Sequence, residues 1–528
     1  MIELPDTFNA ATWFVDRNVH EGRGAKVAIE CGDERVTYAQ LLERVNRAGR
    51  ALSDQFGVRI EERIVMLLLD GPEFVYTFFG AIKIGAVPIP TSTLWKPAEY
   101  EYVLNDSRAR VIVISEALLP HLDAIPRERL RYLQHVIVAD VKPGGTRVHP
   151  ALLTSMAEAS PDLEAEPTCK DDPAFWLYSS GSTGSPKGCV HLQHDMVVCT
   201  ELYADGILRM DANDRCFSVA KLFFAYGLGN AMYCPFGVGA TTILWPGSPA
   251  AANVYAVIER HRPTLFFSVP TNYGMLLAYA REGNDFDLSS IRYAVSAGEP
   301  LAPALFHRFK ERFGVEILDG IGSTEILHIF ISNRPGDVRP GSSGRLVDGY
   351  LARIVDEENR DVPGGEIGNL LISGDSTCAC YWNKHDKTMA TIEGRWIRTG
   401  DKYRQDADGY FWYAGRSDDM LKVGGIWVSP IEVENTMVEH SAVRECGVGA
   451  RPDHDGNLKP YAFVVLREGV AGTPELATEL QNFVRARLAD YKRPRWVQFI
   501  DELPKTATGK LQRYKLRERA KGVANARD

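Results

Sequence analysis

The chain has little of what would mark a secreted, membrane or nucleic-acid-binding protein. Its nine cysteines are scattered, and the nearest spacing is Cys378-Ala-Cys380. No CxxC pair suggests zinc, and an odd count speaks against a disulfide framework. The N-terminus, MIELPDTFNA, has no basic n-region and no apolar h-region, so no signal peptide is expected. Long hydrophobic runs are also missing. The most apolar stretch, Phe74 to Pro90, is interrupted by Lys83, Gly80, Gly85, Pro88 and Pro90, and is too short and broken to span a bilayer. There is no excess of positive charge: 60 Lys and Arg stand against 69 Asp and Glu, a net charge of −9. Such a balance provides no electrostatic footprint for nucleic acid or an anionic membrane. The basic residues between Lys492 and Lys521 alternate with Asp and Glu, as on a solvated surface. Repeats and low-complexity tracts are absent. Together these features predict a cytoplasmic enzyme with reduced thiols, acting on small molecules as a monomer or homodimer.

At 528 residues the chain is long for one core, and at least two domains are expected. Thr37-x-x-Gln40 is a capping box, followed at helical spacing by Leu41, Leu42, Val45, Ala48 and Leu52. Ile64 to Leu69, Val111 to Ile114 and His135 to Val138 read as strands buried on both faces. Ala174 to Tyr178, Thr264 to Val269 and Ile291 to Val295 continue the series. Strands alternating with helices predict α/β architecture with mostly parallel sheets. After about Gly341 short strand-like segments with frequent Gly and Pro predict a small antiparallel, β-barrel-like subdomain: Ala352 to Val355, Gly368 to Ile372, Trp396 to Thr399 and Gly409 to Tyr413. Beyond Gly415 the pattern changes again. Ser429-Pro430 starts a helix, Val443 to Gly449 and Tyr461 to Leu466 are strands, Leu476, Leu480, Phe483, Val484 and Leu488 form an amphipathic stripe, and Trp496 to Ile500 is a last strand. This predicts a smaller α+β C-terminal domain, 418–528, after a large N-terminal domain, 1–417.

The segment Tyr178 to Gly188, YSSGSTGSPKG, follows a predicted strand. Its glycines let backbone N–H groups approach phosphate oxygens. Ser179, Ser180, Ser182, Thr183 and Ser185 add hydroxyl donors, Gly181 and Gly184 give the turns, and Lys187 supplies charge against a leaving pyrophosphate. It differs from the GxxxxGK[ST] loop of NTPases, because Lys187 is followed by Gly188. A flexible Gly/Ser linker would rarely carry Pro-Lys-Gly between two strands. No Ser-His-Asp constellation is visible, since these serines have no evident base.

This string resembles the signature loop of the acyl-adenylate-forming, AMP-binding superfamily: acyl- and aryl-CoA synthetases, nonribosomal-peptide adenylation domains and beetle luciferases. The resemblance runs nearly end to end, with later motifs in family order. Asp319-Gly320-Ile321-Gly322-Ser323-Thr324-Glu325 resembles the segment that stacks on adenine and brings in magnesium. Ala297-Gly298-Glu299-Pro300 resembles the loop on the other side of adenine, Thr399-Gly400-Asp401 the ribose-binding motif, and Gly415-Arg416-Ser417-Asp418 the hinge into the C-terminal domain. Pro504 to Lys510 resembles the motif with the catalytic lysine. The resemblance implies ATP, Mg²⁺ and coenzyme A as reactants or cofactors. Asp401 and Arg416 would hold the ribose, Thr324 the α-phosphate, and Glu325 a hydrated Mg²⁺ held mainly by phosphates. Lys510 would press the substrate carboxylate against the α-phosphorus. It also implies two half-reactions, acyl-AMP formation and thiol attack, separated by rotation of the C-terminal domain about Asp418. Lys422, Gly424 and Gly425 would then line the pantetheine channel.

Lys221 to Gly229 occupies the region lining the acyl pocket in this superfamily. Amino-acid-activating relatives place an Asp near its start, whereas this stretch is aromatic and apolar. FFAYGLGN and Leu327-His328-Ile329 resemble the benzoate-CoA ligase branch. An aromatic ring would fit among Ala225, Tyr226, Gly227, Ile329, Gly320 and Gly322. Phe224 falls where some aryl-CoA ligases carry a gating His. His328 either meets the substrate or packs in the core. Benzoate is the expected acid. Hydroxybenzoates and 2-aminobenzoate are the nearest competitors, and medium-chain fatty acids fit the string less well. A stand-alone enzyme loading a carrier protein, a non-catalytic nucleotide binder and a luciferase-like oxidase are the readings from other classes.

Overall fold

The computed structural model describes residues 3–140, 149–179, 185–280, 286–417, 419–423, 426–453, 458–505 and 511–524. Two parallel sheets carry the N-terminal part. In the larger, Val27–Cys31, Thr241–Ile243, Arg215–Ser218, Leu265–Ser268, Tyr293–Ser296 and Ile317–Gly322 run parallel in that spatial order. Antiparallel strands close both edges: Glu34–Thr37 on one side, Ile329–Ser332 and Arg345–Leu346 on the other. In the smaller sheet Val87–Pro90, Arg63–Leu67, Val111–Ile114 and His135–Val138 are all parallel. The apolar strings read from the sequence are these strands, nearly all buried.

Local signals are realised atom by atom. Thr37 Oγ1 accepts from Gln40 N, and Gln40 Oε1 accepts from Thr37 N, starting the helix Tyr38–Arg50. Ser429 caps Pro430–Val438 by accepting from Glu432 N, with Pro430 in the first turn. The apolar stretch from Phe74 becomes the helix Pro72–Lys83, buried along its length. Lys83, the interrupting charge, is only 1 % exposed. Its Nζ donates to Asp16 Oδ1 at 2.6 Å and Asn46 Oδ1 at 2.7 Å. A buried ammonium requires such partners. None of the described helices is long and apolar enough to cross a membrane.

One strand departs from the predicted parallel series. Pro173–Ser179 lies in a separate three-stranded antiparallel sheet with Lys187–Leu192 and Cys380–Tyr381. The connection between the first two strands is too short to make the crossover that a parallel pair needs. The predicted antiparallel subdomain is a five-stranded sheet of Leu351–Val355, Gly368–Ser373, Trp396–Gln405, Ile392–Glu393 and Phe411–Arg416.

Residues from Leu421 to Phe499 form a hydrophobic cluster of their own. There Val443–Pro452 and Leu458–Leu466 pair antiparallel, Trp496–Phe499 joins in parallel, and the stripe of Leu480 and Val484 lies on the helix Pro474–Arg485. The last helix, Arg513–Ala524, is tied back by ion pairs. Arg513 reaches both oxygens of Glu434, and Arg517 Nη1 donates to Asp419 Oδ1 at 2.6 Å.

Candidate functional site

The parallel strands Arg215–Ser218, Leu265–Ser268, Tyr293–Ser296 and Ile317–Gly322 end at one edge, where Ser268 pairs Ser296 and Ser296 pairs Asp319. Ligands in open α/β sheets bind outside such carboxyl ends. The register therefore brings together three predicted segments: the acid string after Ser218, the loop Ala297 to Pro300, and the run Asp319 to Glu325.

The phosphate-loop motif approaches from the antiparallel sheet. Ser179 and Lys187 are ladder partners at the ends of their strands. Ser179 Oγ donates to Glu325 Oε1 at 3.3 Å across 146 positions of sequence. Tyr381 Oη donates to the same oxygen at 2.7 Å, and Lys187 Nζ lies 4.3 Å from the centre of the Tyr381 ring. Burial, followed by the Glu325 carboxylate, pushes the Tyr381 phenol up, so it remains a donor.

Thr324 and Glu325 sit in the 3₁₀ turn Thr324–Ile326, capped by Ser323 Oγ, which accepts from Ile326 N at 3.3 Å. The turn is clamped from behind. Cys378 N donates to Glu325 O at 2.7 Å, Ser376 Oγ donates to Ile326 O at 2.9 Å, and His191 Nε2 lies 2.8 Å from Thr324 O. The turn ends at Leu327 with φ 71° and ψ −42°, a positive φ that a branched side chain rarely adopts. Gly322 lies beneath: a Cβ there would meet His328 O at 2.5 Å.

The two residues predicted to hold the ribose are in contact with each other. Asp401 and Arg416 are ladder partners, and Arg416 Nη1 donates to Asp401 Oδ1 at 3.0 Å. Gly400 turns the chain here with φ +76°, and a Cβ on it would approach Arg416 Nη2 to 3.1 Å. In the loop from Ala297, Gly298 has φ +84°, while Glu299 Oε2 accepts from Thr271 Oγ1 at 2.8 Å. The Asp319 side chain is buried behind the strand, where burial pushes its carboxyl well above the usual range.

In the acid segment, Ala225–Leu228 is a short helix. Tyr226 Oη donates to Val295 O at 3.0 Å, fixing the ring to the sheet edge. Gly227 packs on Lys221 O, which a Cβ would approach to 2.1 Å. Phe224 is 42 % exposed, its ring 4.5 Å from that of Phe223. His328 is packed against Tyr203, with ring centres 4.9 Å apart, and among the described residues neither ring nitrogen has a hydrogen-bond partner. Burial pushes its pKa down to about 3. The ring is therefore neutral and offers a carboxylate no cationic charge. Lys221 Nζ donates to Trp245 O at 2.7 Å and Gly247 O at 2.9 Å, beside a cavity of about 310 Å³ that Asp70 also lines.

Ser180, Gly181, Ser182, Thr183, Gly184, Asp418, Gly424, Gly425 and Lys510 lie outside the described residues, as does the side chain of Lys422. Tyr381 and His191 were not among the residues picked from the sequence. Each meets its partner across a long sequence separation, and no local motif announces it.

The hard carboxylate of Glu325, with both described donors on Oε1, suits a hydrated Mg²⁺ held chiefly by phosphate oxygens. No cluster of three or more His, Cys, Asp or Glu side chains that could hold a metal occurs among the described residues.

Comparison with known proteins places the chain in a family. The model of the AMP-binding enzyme family matches residues 15–382, and that of the AMP-binding enzyme C-terminal domain matches 432–510. The chain is 48% identical over 517 residues to the benzoate–CoA ligase of Thauera aromatica, covering 98% of this chain and 97% of that protein. It is 44% identical to the 4-hydroxybenzoate–CoA/benzoate–CoA ligase of Rhodopseudomonas palustris, covering 98% and 95%. A solved anthranilate CoA ligase in complex with anthranoyl-AMP superposes with a TM-score of 0.92 at 44% identity, covering 99% of each chain. A benzoate CoA ligase from Burkholderia xenovorans gives 0.86 at 44% identity, covering 97% of this chain and 100% of that one. The chain belongs to the AMP-binding enzyme family.

Proposed function

We propose that this chain is an AMP-forming acid–thiol ligase that joins benzoate, or a close aromatic acid, to coenzyme A using ATP. The observation that carries the reading is the meeting of Ser179, Lys187, Thr324 and Glu325 at the carboxyl edge of the large sheet, where Tyr226 is also tied by its hydroxyl to Val295 O.

The nucleophile is the substrate's own carboxylate, so no catalytic base is needed. Ser179, Ser180, Gly181, Ser182, Thr183 and Gly184 cradle the phosphates, and Lys187 neutralises charge on the departing pyrophosphate. Asp401 accepts the ribose hydroxyls with Arg416 beside it. Ala297, Gly298, Glu299 and Pro300 line one side of adenine, and Asp319, Gly320, Ile321 and Gly322 the other. Thr324 donates to the α-phosphate. Glu325 would hold Mg²⁺, which when bound would offset negative charge on the phosphates. Ala225, Tyr226, Gly227, Gly320, Gly322 and Ile329 form the walls for the ring. Phe224 lies at the rim, and His328 is neutral packing behind the pocket. Lys510 holds the carboxylate in line with the α-phosphorus, a positioning effect.

The unit 418–528 then turns on Asp418 against 1–417, withdrawing Lys510 and bringing Lys422, Gly424 and Gly425 to the pantetheine arm. The thiol attacks the acyl carbonyl and AMP leaves. The nine unpaired cysteines support a cytoplasmic setting, with a monomer or homodimer as the working form.

Pyrophosphate release measured over a panel of acids tests the substrate. Benzoate should give the highest kcat/KM. Faster turnover of 2-aminobenzoate would favour the anthranilate reading that the TM-score of 0.92 supports. Turnover of aliphatic acids alone would overturn the aromatic assignment. Release of AMP and thioester with free coenzyme A separates this reading from loading of a carrier protein.

A further inference from the structure

We propose that Tyr381 is a positioning residue of the adenylation half-reaction, holding the Glu325 carboxylate with its hydroxyl and the Lys187 ammonium with its ring face. The proposal rests on the ligase reading above.

Two independent contacts carry it. The Tyr381 hydroxyl donates to Glu325 Oε1 at 2.7 Å. That is the oxygen Ser179 also reaches, at 3.3 Å. Both described donors therefore engage one oxygen and leave the lone pairs of Oε2 to a cation. On the other side, Lys187 Nζ lies 4.3 Å from the ring centre. A cation over an aromatic face is attracted by the ring quadrupole. The contact also restricts a side chain that otherwise has many rotamers to lose.

The ring is itself well anchored. Tyr381 is 3% exposed and pairs with Cys189, two residues from Lys187 on the same strand. Residues two apart share a face of a strand, so Lys187 and the residue opposite Cys189 are diagonal neighbours. Tyr381 N donates to Thr388 Oγ1 at 3.0 Å, which fixes the backbone behind the ring. Meanwhile Cys378 N holds Glu325 O at 2.7 Å. The short segment from Cys378 to Tyr381 thus grips Glu325 at both its backbone and its carboxylate. One phenol sets the separation between the charge that faces the leaving group and the carboxylate that faces the cation.

The experiment uses the full chain and two substitutions. Tyr381→Phe removes only the hydroxyl, and Tyr381→Leu removes hydroxyl and ring face. Calorimetric titration of ATP, with and without Mg²⁺, gives the gain in affinity due to the cation. Pyrophosphate release and thioester formation from supplied acyl-AMP are measured alongside.

For Tyr381→Phe the gain from Mg²⁺ should shrink about tenfold, the scale of one hydrogen bond to a charged group. Mg²⁺-free ATP affinity, the KM for the acid and the thioester step should stay as they are. Tyr381→Leu should in addition weaken Mg²⁺-free ATP binding, by releasing Lys187. If Tyr381→Leu fails to fold, Tyr381→Phe, which differs by one oxygen, still decides the hydroxyl's role. An unchanged response to Mg²⁺ in Tyr381→Phe, or equal losses in both half-reactions, would overturn the proposal. Failure of the unsubstituted protein to release pyrophosphate with any acid would sink the ligase reading instead, and the ATP titrations would remain a separate measure of Tyr381.

Discussion

His191 Nε2 lies 2.8 Å from the carbonyl oxygen of Thr324, while Nδ1 of the same ring lies 2.8 Å from Asp195 Oδ2. The ring thus bridges the Asp195 carboxylate and the main chain of the Thr324 turn. His191 and Asp195 are fully buried, and the imidazole stacks on Phe175 with ring centres 5.2 Å apart. The strand Lys187–Leu192 therefore carries Lys187, proposed to face the phosphates, at one end and props the Thr324 turn near the other. His191→Leu should lower stability by about 1–3 kcal/mol, the scale of leaving a buried polar group without its hydrogen-bond partner. Thermal unfolding checks the loss. His191→Gln, which keeps an amide donor, should lose less stability, and its pyrophosphate release should fall more than its thioester formation.

Lys510→Ala should reduce adenylation by at least about a hundredfold, the usual scale for one electrostatic group acting on the transition state. Thioester formation from supplied acyl-AMP should survive. Single-turnover assays of the two half-reactions make the comparison, and equal loss in both would remove Lys510 from the proposed role.

Asp401→Ala should weaken AMP binding by about 10–100-fold, because a hydrogen-bonded charged group is lost to the ribose and Arg416 is left unpaired. The Arg416 guanidinium is 3.0 Å from Asp401 Oδ1, so Asp401→Asn, which keeps an acceptor, should lose less. Calorimetric titration with AMP reads the difference without any turnover.

Gly322→Ala should disturb the turn that follows. Its new methyl would lie 2.5 Å from His328 O, a backbone atom that cannot swing away. The expected cost is about 1–3 kcal/mol, typical of overpacking. Its KM for the aromatic acid should rise, since Gly322 lies in the proposed ring pocket.

Stability should respond to pH through two buried groups of opposite sense. His328, pushed from 6.5 to about 3 by burial, refuses a proton that the unfolded chain accepts, so it costs stability as pH falls from about 6.5 towards 3. Asp70, pushed by burial from 3.8 to about 6, keeps a proton that the unfolded chain releases, so it costs stability as pH rises through that window. The two partly cancel in the unsubstituted protein. In His328→Leu the imidazole contribution is gone while those of Asp70 and the likewise raised Asp319 remain, so the change in Tm from pH 7 to pH 5 should be more positive than in the unsubstituted protein.

Periodicity was enough to read the elements whose reasons are local. Thr37 with Gln40, and Ser429 with Pro430, mark helix starts through atoms three residues apart. The apolar strings from Ile64 and Val111 are strands because a sheet covered on both faces wants apolar residues throughout. Local reasoning fails where the partner is distant. The string Ala174 to Tyr178 looks like its parallel neighbours, and only the short connection to Lys187 signals a hairpin. Of the site, the residues inside motifs were legible as neighbours: Ser179 pairs with Lys187 and reaches Glu325, and Asp401 pairs with Arg416. Tyr381 and His191 were not, since they act through oxygens 56 and 133 positions away. The pocket string also conceals its division of labour. Tyr226 is fixed by main-chain carbonyls, while His328 is withdrawn into an aromatic cluster.

The pairing of Ser179 with Lys187 separates two quantities that a phosphate-binding segment usually mixes, its length and the location of its charge. Both anchors belong to one ladder whose register continues through Tyr178 with Gly188 and Leu177 with Cys189. A glycine added between them would lengthen the path without displacing either anchor. Under the proposed function, variation in that stretch would tune the grip on the nucleotide while Lys187 keeps its place in the ladder.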